Sequence, residues 1–180
     1  MLNLLSIIFF TIIIAILKIK NFLKKNISNK PDTISVPAVA ILGKVPTKFE
    51  APFDDKNIDI WTMNYHIDTL PRVDLWFDIH SKNPNPRADI TRKNYPFNEA
   101  EKLLGGNYFN NSVSYMIAYA ILKGYKTIYL YGMRFNNDAK ERFCEFQNVR
   151  ELIFFAKGKG INVIAPVDEI MTREYERYGI

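Results

Sequence analysis

The stretch from Tyr108 to Phe135, YFNNSVSYMIAYAILKGYKTIYLYGMRF, most narrows what this chain can become. Asn110, Asn111 and Ser112 carry short side-chain oxygens that suit the first free N–H groups of a helix. Val113, Met116, Ile117, Ala120 and Ile121 then recur at i, i+3, i+4, i+7 and i+8, an apolar stripe at helical period. Tyr119 and Leu122 add apolar surface beside it, so the spacing predicts a well-buried helix. Gly124 offers the left-handed residue that ends such a helix. Thr127 to Tyr131 is β-branched and aromatic, which predicts a buried strand, and Gly132 closes it. A helix followed within a few residues by a strand is half of an α/β unit and predicts a parallel sheet.

The flanking segments extend this pattern. Val39 to Leu42, ending at Gly43, reads as a first strand. Ile58 to Met63 reads as a second, leading into Asn64, Tyr65 and His66. Leu75 to His80 reads as a third, with Asp78 and His80 near its carboxyl end. Ser81 to Pro96 is rich in Pro, Asn and Arg and reads as a surface loop. Its Arg87, Arg92 and Lys93 either close over an anionic ligand or stay solvated. Phe97 to Leu104 is a short helix ended by Gly105 and Gly106. In the segment Phe143 to Lys157, the residues Phe143, Phe146, Val149 or Arg150, Ile153 and Phe154 recur at helical spacing. Ile161 to Ala165 is a last strand stopped by Pro166, and a short charged helix runs to the end. Together these predict one Rossmann-like, three-layer α/β domain over residues 38–180, with a mostly parallel sheet of about five strands.

The 180 residues suffice for one such domain, and 48% hydrophobic content makes it globular. A single cysteine, Cys144, excludes an internal disulfide framework and fits a reducing compartment. No Cys/His spacing suggests zinc, and no cofactor is evident. The net charge of +5 is concentrated before residue 37, where Lys18, Lys20, Lys24, Lys25 and Lys30 face Asp32 alone. Met1 to Leu17 carries no charge and is dominated by Leu, Ile and Phe. About 17 residues is the short edge of a membrane span, which snorkelling lysines extend. A cleaved signal peptide wants basic residues before the apolar run and small residues after it, and neither is present. Residues 1–20 are therefore expected to be a single-pass anchor, and residues 21–37, with Pro31 and Pro37, a basic and polar linker. The lysines place the domain on the cytoplasmic side. The basic balance belongs to this tail, so it points to a membrane surface rather than to nucleic acid.

Chemistry can attach where strands end and helices begin. The turn of Gly43, Lys44, Val45, Pro46 and Thr47 follows the first strand, where a Rossmann-like fold grips a phosphate. It lacks the second glycine of a dinucleotide fingerprint and is no Walker A sequence, so a plain turn remains open. Asn111 and Ser112 open a helix whose free N–H groups attract anions, or they only cap it. Gly132, Met133 and Arg134 follow a strand's carboxyl end, and Arg134 either binds phosphate bidentately or pairs with a nearby acid. His80 titrates near neutrality and suits a general base, a phosphate contact or a structural hydrogen bond.

These segments resemble a Rossmann-like group that includes Campylobacter-type sialyltransferases, which use CMP-sialic acid, and related phage-encoded and pterin-pyrophosphokinase-like proteins. In those sialyltransferases a Thr-Ser-Gly turn opening the helix helps hold the CMP part of the donor; Asn111-Ser112-Val113 matches it. Gly124 to Leu130 matches their Gly-Tyr-Lys-x-Ile-Tyr-Leu segment, and Gly132 to Phe135 their Gly-x-Asp-Phe loop. Gly43, Pro46 and Thr47 fit a Gly-x-x-Pro-Ser turn. Asn64 matches an Asn that contacts the donor nucleotide, and Trp76, Phe77 and His80 a Trp-Phe-x-x-His ending seen in the phage-like relatives, which look closer over residues 38–168. The chain departs from the transferases at two points. Arg134 replaces the loop acid, and Asn136 to Gln147 contains no histidine where they keep their base.

The resemblance implies a membrane-anchored domain for a nucleotide or nucleotide sugar, with Gly43, Lys44, Thr47, Asn64, Asp78, Asn111, Ser112, Gly132 and Arg134 as ligand-binding candidates. If transfer occurs, Ser112 and the helix start hold phosphate, Asn64 the base or sugar, and Arg134 the leaving-group charge, with His80 as the base. The rival expectation is a catalytically inactive, phage-type accessory module that captures a nucleotide signal or a host protein.

Overall fold

A computed structural model describes residues 37–64, 69–79, 82–133 and 140–165, the side chains of 140–142 excepted. The chain divides into Met1–Ser35 and Val36–Ile180. The anchor and linker expected before residue 37, and the last helix after Pro166, lie outside the described residues. No helix among the described residues is long and apolar enough to cross a membrane.

The domain is α/β, with six parallel strands and three helices. The strands are β1 (Ala38–Leu42), β2 (Ile58–Met63), β3 (Leu75–Asp78), β4 (Ile90–Thr91), β5 (Thr127–Tyr131) and β6 (Asn162–Ile164). The helices are α1 (Phe97–Leu104), α2 (Ser112–Leu122) and α3 (Lys140–Gly158), and a 3-10 turn covers Pro46–Glu50. The spatial order is β4-β3-β2-β1-β5-β6, with β1 paired to both β2 and β5. The chain therefore builds outward from β1 to one edge, then returns through α1 and α2 to build the other half. β4 falls in the stretch read as a loop. Two residues are too short for period-2 patterning to show, and β4 is held through its flank: Asp89 N donates to Trp76 O at 3.0 Å, and Trp76 N to Asp89 Oδ2 at 2.8 Å.

Alternation along the strands divides the core in two. Val39, Ile41, Trp61, Met63, Phe77, Ile128, Leu130 and Val163 face a large cluster to which all three helices contribute. Ala40, Leu42, Ile58 and Ile60 face a smaller cluster closed by Ala51, Phe53 and Leu70. The expected helix layer on this second face is not found among the described residues. The β1–β2 connection, with its 3-10 turn, covers it instead. The helix stripes also shift from expectation. In α3 the buried apolar residues are Val149, Leu152, Ile153 and Ala156, at i, i+3, i+4 and i+7, while Phe143 and Phe154 are exposed. α2 buries every residue from Val113 to Ala120 except Tyr115, which is half-buried, because it lies between the sheet and both other helices.

Polar groups at the amino ends of the strands are mutually satisfied. Asp74 Oδ2 accepts from Ile60 N at 2.8 Å, and Tyr125 Oη donates to Asp59. Burial pushes the Tyr125 phenol pKa well above its usual value, and the Asp59 carboxylate adds to the shift. Burial does the same to Tyr95, whose hydroxyl donates to Tyr115 O at 2.9 Å. A raised phenol pKa favours the fold while both states hold the proton. That stability is intact below about pH 10 and declines above it, as the unfolded chain ionises first. The domain is therefore expected to lose stability from about pH 10 upward, and Tyr125→Phe to flatten that decline. Denaturant midpoints measured from pH 8 to 11 check this; an unchanged slope in the variant contradicts it.

Candidate functional site

Parallel pairing puts all six carboxyl ends on one rim of the sheet. The order reverses between β1 and β5, the place where open α/β sheets leave a ligand crevice. α2 returns over the sheet and delivers the chain to β5 through Gly124, Tyr125 and Lys126, with Lys126 N donating to Pro37 O at 2.9 Å beside the start of β1. The first turn of α2 thus lies at the carboxyl rim. Gly43, Asn64, Asp78, Ser112 and Gly132 share this end of the domain. His80, Arg134 and His66 lie outside the described residues.

The turn after β1 differs from a phosphate loop. Gly43 N donates to Tyr131 O at 2.7 Å and Val45 N to Gly132 O at 3.2 Å, so two of its amides are already engaged. The approach of the two strand ends is tight. A Cβ on Gly43 would lie 2.1 Å from Gly132 O, and Gly132 itself is left-handed at φ +68°. Lys44 is exposed and Thr47 half-buried. Sequence reasoning missed the cation this turn holds in place. Lys48 is 6% exposed, with its Cβ packed where a Gly132 side chain would go and its Nζ 5.1 Å from the Phe49 ring centroid. Its four-carbon stem is buried at the strand-order reversal while the ring of Phe49 beside it is exposed. The signal available was weak: a lysine two residues after a proline.

The start of α2 is knitted to α3. Asn111 Oδ1 caps the helix by accepting from Ser114 N at 3.0 Å. Its Nδ2 donates to Ser114 Oγ at 2.8 Å and to Asn148 Oδ1 at 3.3 Å. Ser114 Oγ also donates to Asn148 Oδ1, and Asn148 Nδ2 to Tyr108 O. Asn111 is therefore a cap and cross-helix tie, the bland alternative for this residue, and the N–H of Ser114 is already taken. Ser112 is half-buried and has an interaction of its own.

Asn64 and Asp78 stand differently. Asn64 directly follows β2 and stands in the left-handed region at φ 58°, which Asn tolerates better than most residues. Asp78 ends β3, and Asn85 N donates to its Oδ2 at 2.8 Å. Both side chains are buried. The rim thus combines a cation on a buried stem, an exposed aromatic ring and two buried polar side chains. Such a set suits a small molecule with an anionic end and a polar body. No group of three or more His, Cys, Asp or Glu that could hold a metal occurs among the described residues. Comparison with protein-family models, curated proteins and solved structures found no match.

Proposed function

We propose that this protein binds a nucleotide or nucleotide sugar at the carboxyl rim of its sheet, and that residues 1–20 anchor it to a membrane with the domain on the cytoplasmic side. The observation that carries the reading is the strand order. It reverses between β1 and β5, and Lys48 is held across that reversal. With Gly43 N and Val45 N engaged, a phosphate there is held by the Lys48 ammonium rather than by the turn's backbone, with Phe49 beside it for a ring to stack on. The contrast between the two ends of the sheet supports this. Arg72, Asp74, Asp59 and Tyr125 satisfy one another at the amino end, whereas cation and polar side chains gather at the carboxyl end.

The resemblance to glycosyltransferases extends the reading to a transferase. A catalytically silent module, with a nucleotide signal or a host protein as partner, is the second reading. The absence of a histidine from Asn136 to Gln147 favours it.

Full-length protein in detergent, screened by thermal shift against nucleoside mono- and diphosphates and nucleotide sugars, tests the binding. At about 100 times Kd a ligand adds about 2.7 kcal/mol, a shift of several degrees. Lys48→Met keeps the stem and removes the charge, and is expected to abolish most of that shift. No shift with any compound contradicts the reading. Binding without turnover favours the silent form. The anchor is tested separately: the native protein is expected to stay with membranes through high-salt and alkaline washes and to leave only in detergent. Recovery in a soluble fraction contradicts it.

A further inference from the structure

Among the described residues, two buried oxygens at the carboxyl rim have no hydrogen-bond partner. Asn64 Oδ1 and Asp78 Oδ1 are buried and accept no hydrogen bond among the described residues. The residues are 6% and 1% exposed. The backbone of Asn64 and the second carboxylate oxygen of Asp78 are engaged. Asn64 N donates to Phe77 O at 2.8 Å, Asn64 O accepts from Trp76 Nε1 at 2.6 Å, and Asp78 Oδ2 accepts from Asn85 N at 2.8 Å. These bonds fix both backbones and leave one side-chain acceptor on each residue bare.

The two are also neighbours. Met63 is in register with Phe77, so Asn64 and Asp78 are the next residues on adjacent parallel strands. Asn64 is the non-glycine residue held at positive φ among the described residues, and such strain persists where the surroundings impose it, often at ligand sites. A buried acceptor without a donor destabilises a fold, more so when it belongs to a carboxylate. Two in adjacent positions are hard to explain by packing alone.

The chemistry of the pair selects what fills it. Both atoms only accept, and Asp78 brings negative charge, so a phosphate is repelled. One carboxylate and one amide are a meagre set for a metal ion. The complement is a hydrogen donor.

We propose that Asn64 and Asp78 form a subsite that receives a hydroxyl or amino group of the bound small molecule, separate from the place where Lys48 receives its phosphate. The proposal rests on the nucleotide reading for the identity of that molecule. The donor comes either from sugar hydroxyls or from an amino group of the base.

Asp78→Asn and Asn64→Gly test it in the full-length protein. In Asp78→Asn the charge is gone and an N–H₂ donor replaces one oxygen. Asn64→Gly removes the other acceptor and relieves the left-handed strain. Both are expected to keep or raise the melting temperature, Asp78→Asn by roughly 2–4 °C, while weakening ligand by about tenfold or more. The probes are the ribonucleoside 5′-monophosphates, their 2′,3′-dideoxy analogues, inosine monophosphate against adenosine monophosphate, and the phosphate-free nucleosides. If sugar hydroxyls are the donor, the dideoxy compounds bind wild type weakly and Asp78→Asn loses nothing further. If a base amino group is the donor, loss of that group does the same. A lower melting temperature in both variants, or unchanged affinity for every probe, overturns the subsite while leaving the Lys48 reading intact. Nucleosides that bind in an Asp78-dependent way, with no gain from phosphate, overturn the Lys48 reading and support the subsite. No binding of any probe to wild type overturns both.

Discussion

Gly43→Ala is expected to destabilise the domain by about 3 kcal/mol or more, enough to prevent folding if the domain is of ordinary marginal stability. The added Cβ would lie 2.1 Å from Gly132 O and 2.7 Å from the same carbonyl carbon. Those atoms are backbone just after β5, a strand paired on both sides, and cannot swing aside as a side chain would. Relief would require parting β1 from β5, at the cost of the bonds from Gly43 N to Tyr131 O and from Val45 N to Gly132 O. The glycine that ends α3 gives a useful comparison. A Cβ on Gly158 meets nothing within 4 Å, so Gly158→Ala is expected to be close to neutral. Denaturant titration of both variants followed by circular dichroism measures the difference. A Gly43→Ala protein with the wild-type midpoint would contradict the tight apposition of these strand ends.

Arg72→Ala is expected to cost about 3 kcal/mol. The guanidinium organises the opposite pole of the sheet. Its Nε donates to Asp74 Oδ2 at 3.0 Å, one terminal nitrogen to Phe53 O at 2.9 Å and Asp55 O at 3.1 Å, and the other to Ile58 O. Two carbonyls of the β1–β2 connection and one at the start of β2 thus depend on one planar fork. Truncation leaves Phe53 O and Ile58 O without that donor in a part-buried place. It also loosens Asp74, which accepts from the backbone of β2. Lysine lacks the fork geometry, so Arg72→Lys is expected to recover little of the loss. Equal stability of Arg72→Lys and wild type would mean that charge alone, not the fork, holds this turn. Neither substitution touches the carboxyl rim, so ligand affinity of the folded fraction should be unchanged.

Much of the fold can be read from residues because local rules and tertiary context agree. Asn111 caps α2, Gly105 ends α1 in the left-handed region, and β2 and β5 have the bounds their β-branched runs predict. The failures have physical causes. β4 is two residues long and depends on its pairing with β3. Along α3 helical spacing marks Val149 and Ile153 but also Phe143 and Phe154, apolar at nearly the right positions, whereas the core receives Leu152 and Ala156 beside the first two. Among the described residues, the second face of the sheet carries the β1–β2 connection with its 3-10 turn, which is too short to register as a helix pattern, in place of the expected helices. At the candidate site, strand ends and a capped helix start could be located from sequence. Which polar atoms were already engaged could not. That Asn111 serves the helices while Asn64 and Asp78 keep a bare oxygen is a matter of three-dimensional partners. So is the burial of Lys48, which no sequence pattern marked.

Hydrogen exchange with and without the nucleotide that gives the largest thermal shift tests the central claim most directly, since it reports where the ligand sits. Added protection is expected in residues 43–50, around 61–64 and 77–79, and at 131–133, with the amino-end segments 53–57, 72–74 and 123–126 unchanged. Protection confined to those amino-end segments, or none anywhere at saturating ligand, would contradict a site at the carboxyl rim.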